Sequence, residues 1–124
     1  MSAKILVVDD EAHICTMLDR ILQREGYQVQ TSTDPEDGLN LLKQQPYDLL
    51  VTDLNMPGMT GLDLLGRARK IQPRCEVVMM TGYATVDTAR EALKRGAIDY
   101  IEKPMDIENE FLPLLARILG SDSE

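Results

Sequence analysis

Basic residues are scarce in this chain, histidine is nearly absent, and no apolar run approaches the roughly 20 residues that a membrane-crossing helix needs. Thirteen Lys and Arg stand against 21 Asp and Glu, a formal charge of −8. Such a surface repels phosphate backbones, so direct nucleic-acid binding is not expected. His13 is the single histidine, which excludes a paired-histidine metal site; in the first turn of a helix it reads as a surface group. Cys15 and Cys75 fit no metal-ligand spacing and read as two reduced thiols. The stretch from Met1 to Val8 has too little charge and too short an apolar segment for a secretory signal. No membrane association is expected, and the expected location is the cytoplasm. With 44% hydrophobic and 27% charged residues the chain is not disordered in bulk. Without repeats or a linker, residues 1–120 are expected to form one domain, with 121–124 as a polar tail.

Five short apolar runs alternate with five helical patterns. The runs are Ile5–Val8, Gln28–Ser32, Leu49–Thr52, Glu76–Met80 and Asp99–Glu102. Four of them read as near-continuous buried strands, as expected where helices cover both faces of a parallel sheet. The second alternates apolar and polar residues from Tyr27, which suits an edge. Between them, Ile14, Met17, Leu18, Ile21 and Leu22 recur at helical spacing before Gly26, a C-terminal cap. Asp34-Pro35 starts a second helix, with Asp as N-cap and Pro in the first turn, that stops before Pro46. A third runs from Gly61 to Ile71, and a fourth starts after a Thr85 cap and closes at Gly96. Pro113 interrupts the last pattern, which predicts a start near Asn109 or Glu110, or a kink at the proline. Strict alternation makes this an open α/β fold with right-handed crossovers and helices on both faces.

Ligands of such sheets bind outside the carboxyl ends of the strands, so the residues just past each strand bear on function. The first strand ends in Asp9-Asp10, the third in Asp53, the fourth in Thr81 and the fifth in Lys103. A single strand-end Asp is commonly a helix cap or turn former, and a lone Lys before Pro is usually a solvated charge. The joint pattern is harder to reach by accident: three carboxylates, a hydroxyl and an ammonium would share one crevice. Clustered carboxylates repel unless a cation joins them, and hard oxygen donors suit Mg²⁺. A carboxylate can also attack phosphorus to give an acyl phosphate. Asp53, the central one, is the best nucleophile, leaving Asp9 and Asp10 for the metal, with Lys103 and Thr81 stabilising transferring oxygens.

Asp9-Asp10, Asp53 followed by Met56-Pro57-Gly58 and Gly61, Thr81, and Lys103-Pro104 together resemble the receiver domain of bacterial two-component response regulators, to about Leu119. The resemblance implies a flavodoxin-like doubly wound, five-stranded parallel sheet in the order 2-1-3-4-5. It implies phosphotransfer to Asp53 from a sensor histidine kinase or phosphotransfer protein, and a signalling switch rather than a multiple-turnover enzyme. Asp10 and Asp53 would bind Mg²⁺ directly, Asp9 through water, and Asn55 through its carbonyl. A cis Lys103–Pro104 bond is also implied, as is a switch running through Thr81 and Tyr100. Asn55, Tyr83 and Pro104 would flank the phosphoryl group. The fourth helix, fifth strand and fifth helix, with Arg90, Lys94 and Arg95, would face a downstream output domain or protein. The chain is either free-standing or cut from a longer regulator. Three rivals remain open here. A phosphatase of the haloacid-dehalogenase type would need an acid where Asn55 stands. A flavodoxin-type binder would meet Asp9-Asp10-Glu11 where FMN phosphate should sit. A degenerate receiver would act as an interaction module alone.

Overall fold

A computed structural model describes residues 2–82 and 86–120. The Tyr83 position, the Thr85 cap and residues 121–124 lie outside the described residues, as does the side chain at position 86. The strands are β1 (Lys4–Val8), β2 (Gln28–Ser32), β3 (Leu49–Asp53), β4 (Glu76–Thr81) and β5 (Asp99–Glu102). They form one parallel sheet in the order β2-β1-β3-β4-β5. Helices α1 (Ala12–Arg24), α2 (Pro35–Gln44), α3 (Gly61–Ile71), α4 (Val86–Lys94) and α5 (Leu112–Leu119) connect and close it.

Successive strand residues face opposite sides of a sheet, so the apolar runs feed two cores. Ile5, Val7, Leu49, Val51, Val78 and Met80 pack with Cys15, Leu18 and Leu22 of α1 and with Phe111, Leu114 and Leu115 near α5. Leu6, Val8, Leu50, Val77 and Met79 pack on the other side with Leu39 and Leu42 of α2, Leu64, Leu65 and Ala68 of α3, and Ala92 of α4. Both cysteines are buried and free. At β2, burial alternates as an edge strand requires. The expectation of a buried fifth strand fails. In β5 only Ile101 is buried, because the strand has β4 on one side and forms the other edge.

Local chemistry explains most of the boundaries. Gly26 and Gly96 take positive φ just beyond α1 and α4, where an L side chain would be strained. Thr60 caps α3, its hydroxyl accepting from the Asp63 N–H at 3.2 Å. Asp34 stands at the N-cap of α2, but among the described residues its side chain makes no cap bond. The Ser32 hydroxyl bridges the turn instead, donating to the Asp34 carbonyl at 2.7 Å and accepting from its N–H at 3.2 Å.

The last helix begins earlier than Pro113 suggested. Asp106 caps it by accepting from the Asn109 N–H at 3.1 Å, and a π-helical turn spans Ile107–Phe111. The N–H groups of Phe111 and Leu112 reach back five residues, to Asp106 and Ile107. Pro113, which has no N–H and would crowd the carbonyl one turn back, then falls in the first turn of α5, where both defects are tolerated.

Gly61 holds the β3–α3 loop against the sheet. Its N–H donates to the Leu54 carbonyl at 2.8 Å. A Cβ there would collide with the Asp53 carbonyl oxygen and lie 2.7 Å from the Leu54 Cα, both backbone atoms that cannot rotate away. Gly61→Ala is therefore expected to destabilise the protein by about 1–3 kcal/mol, the usual cost of overpacking. Urea unfolding measures this; a wild-type midpoint would show that the loop has room to spare.

Candidate functional site

The sheet's strand order reverses between β1 and β3, and the pairing register gathers the polar strand ends there. Val8 pairs with Thr52, which sets Asp9 level with Asp53; Asp53 pairs with Met80, so Thr81 stands one step further out. Lys103 lies one residue beyond β5, and its N–H donates to the Thr81 carbonyl at 2.8 Å. The structure thus brings Asp9, Asp10, Asp53, Thr81 and Lys103 to one end of the sheet. Asp9, Asp53 and Thr81 are buried and Asp10 is exposed.

Lys103 crosses the crevice with its side chain only 15% exposed. Its Nζ lies 2.7 Å from Asp9 Oδ2, 3.2 Å from Glu11 Oε1 and 3.5 Å from Asp53 Oδ2. The approach to Asp9 is off the directions of a good hydrogen bond, so that contact is best described as a close ion pair. Asp9 Oδ1 also accepts the Glu11 N–H at 2.8 Å, which fixes the carboxylate. Asp53 Oδ1 receives a long contact from the Asn55 N–H, at 3.4 Å.

Burial pushes the Asp53 carboxyl up to about 6; Lys103 opposes that rise, while Asp9 and Asp10 add to it. Burial acts to lower Lys103, but its contacts with Asp9, then Asp53 and Glu11, outweigh it and hold the ammonium above the ordinary lysine range. Asp9, Asp10 and Asp53 each offer an oxygen within 4.8 Å of the others. One ammonium does not balance them. A small hard dication suits such a donor set better than a soft transition metal does.

The remaining expected residues sit around this centre. Asn55 and Pro104 are exposed, and the Lys103–Pro104 peptide is cis. Tyr100 faces outward on β5, 37% exposed, level with Met79. Glu11 was not among the sequence candidates. Its contact with Lys103 spans 92 residues of chain, and no spacing rule marks it.

The raised Asp53 carboxyl has a consequence for stability. Between its ordinary value of 3.8 and about 6 the folded protein binds more protons than the unfolded chain, so stability falls as pH rises through that window. A net displacement of roughly two pH units, in which the Lys103 pairing is already included, corresponds to ~3 kcal/mol. In chelator, Asp53→Asn is expected to match wild type near pH 4 and to exceed it by about 1–3 kcal/mol at pH 7.5. Denaturant midpoints across that range test this; parallel pH profiles would show an unperturbed Asp53.

Comparison with known proteins agrees with the geometry. The family model described as response regulator receiver domain matches residues 5–112. The transcriptional regulatory protein ZraR of Escherichia coli K12 is 40% identical over 105 residues, covering 85% of this chain and 24% of the relative. The chain thus spans about a quarter of the length of such curated relatives. Among solved structures, NtrX from Brucella abortus superposes with a TM-score of 0.88 at 36% identity, over 96% of this chain and 27% of that one. A response regulator from Burkholderia pseudomallei, with a phosphorylated aspartic acid, calcium ion and citrate, gives 0.84 at 31% identity, over 94% of this chain and 66% of its own. With its sheet order, its strand-end carboxylates and a family match across most of its length, the chain belongs to the response regulator receiver domains.

Proposed function

We propose that the domain is a phosphoacceptor switch that takes a phosphoryl group on Asp53 from a sensor histidine kinase or phosphotransfer protein. The observation that carries this reading is the buried Asp53 carboxylate at the strand-order reversal, with Lys103 Nζ 3.5 Å away and two further carboxylates beside it. An Asp53 oxygen attacks phosphorus, the bond to the donor breaks, and the donor group departs with the electron pair. The product is an acyl phosphate, and no proton need be removed from the nucleophile. Lys103 would follow the charge onto the transferred oxygens, and the Thr81 hydroxyl would donate to one of them. Asp9 and the Glu11 N–H keep the site in register. Mg²⁺, held by Asp10, Asp53 and the Asn55 carbonyl and by Asp9 through water, would neutralise charge on the phosphoryl oxygens. Asn55, Tyr83 and Pro104 would flank the group and govern water's access to it.

The readout would run from Thr81 to Tyr100. Thr81 moves towards the phosphoryl group, and the outward ring of Tyr100 follows into the space. Leu93, Ile98 and Tyr100 are exposed large apolar groups near α4 and β5, a surface suited to an output domain or protein. Arg90 and Lys94 add charge there, whereas Arg95 is paired with Glu91 at 2.7 Å. The charge of −8 disfavours nucleic acid as the direct partner. No helix among the described residues is long and apolar enough to cross a membrane, consistent with a cytoplasmic role.

Incubation with acetyl phosphate and Mg²⁺, followed by intact-mass measurement, tests the reading. Wild type is expected to gain one phosphoryl group, and Asp53→Asn or added chelator to abolish the gain. Lys103→Met should slow uptake by roughly 100-fold, the scale seen when one charge-stabilising donor is lost. Tyr100→Ala should take up the group normally yet bind a partner without regard to it. Uptake by Asp53→Asn at the wild-type rate would overturn the assignment.

A further inference from the structure

We propose that Glu11 is a positioning residue that leans the Lys103 ammonium away from Asp53 and so limits how fast Asp53 takes up a phosphoryl group. The inference rests on the phosphoacceptor reading. Glu11 occupies the N-cap of α1 with extended backbone, φ −90° and ψ 107°. Asn, Asp, Ser and Thr are the usual residues there, because their short side chains fold back onto the first turn. Among the described residues the Glu11 side chain makes no such bond. It reaches across to Lys103, accepting from Nζ at 3.2 Å.

The three acidic contacts of Lys103 differ in kind. Asp9 is fully buried and tied to the backbone, so its 2.7 Å pair is a fixed anchor. The Glu11 side chain is 49% exposed, so water can replace the ammonium at small cost. Asp53 has the longest of the three contacts. This ranking leaves the Asp53 oxygens available for attack while Lys103 is held nearby. It also means that the arriving phosphoryl oxygens must draw Lys103 off Glu11. A negative Glu11 further repels an anionic donor. Both effects slow the step in which the Asp53 oxygen–phosphorus bond forms and the donor's bond to phosphorus breaks, with acetate leaving when acetyl phosphate is used.

Two substitutions separate this role from helix capping. Glu11→Gln removes the charge at nearly constant size. Glu11→Asp keeps the charge and is a better cap, but falls a methylene short of Lys103. At saturating Mg²⁺ and low salt, Glu11→Gln should raise the initial rate of uptake from acetyl phosphate by roughly two- to five-fold, the worth of one partly exposed ion pair. Glu11→Asp should raise it less, and both gains should shrink as salt screens the charges. In labelled protein the Lys103 ammonium ¹⁵N signal should move in both variants. Wild-type rates with an unmoved Lys103 signal in both variants would overturn the inference while leaving Asp53 as acceptor. If wild type takes up no phosphoryl group, the phosphoacceptor reading fails first, and this inference fails with it.

Discussion

The Lys103 ammonium is the contact on which the site's arrangement depends. It sits among Asp9, Glu11 and Asp53, drawn from the ends of β1 and β3, while its own backbone is tied to the end of β4. Like charges at this spacing would otherwise force one another to protonate. With Lys103 in place, Asp9 is paired although fully buried, and Asp53 is relieved in part. Partial relief leaves a carboxylate that is costly to ionise alone and gains from any further positive charge. In the proposed reading, that residual imbalance would favour a dication in the crevice and a change of state at Asp53.

Two-sided burial of the sheet makes this charge cluster mechanically consequential. Alternate residues of β1, β3 and β4 lock into cores on opposite faces, so the strand ends cannot shift independently. The freedom lies at the rim, where β5 is an edge strand with an outward Tyr100, while the loop beyond β3 is held against the sheet at Gly61. A charge change at Asp53 is therefore more cheaply answered by side chains along β4 and β5 than by the sheet. The proposed path from Thr81 to Tyr100 follows that division between a rigid centre and an adaptable edge.

Much of this was legible in the sequence because strand ends, caps and breakers are local signals. Val7-Val8-Asp9-Asp10 and Leu50-Val51-Thr52-Asp53 place carboxylates at strand ends without knowledge of the sheet. The observed sheet bears out the strand order that the resemblance implied, and the register then shows why those ends meet. The order 2-1-3-4-5 implied by the resemblance already put Asp99-Tyr100-Ile101-Glu102 at an edge, against its reading as a buried strand. Two features were hidden. Pro113 signalled a defect but not its remedy, since a π turn is set by how Phe111 docks in the core. Glu11 was invisible because its partner is distant in sequence and meets it only through the fold.

Isothermal titration of Mg²⁺ into the protein at pH 6 and pH 8, each in two buffers of different ionisation enthalpy, tests most directly the claim that an under-neutralised Asp53 cluster is the functional centre. One binding site should be seen at both pH values. At pH 6 it should release a fraction of a proton, because metal binding drives the half-protonated Asp53 to its charged form. At pH 8 the release should vanish. No saturable binding, or binding with the same proton balance at both pH values, would contradict the account.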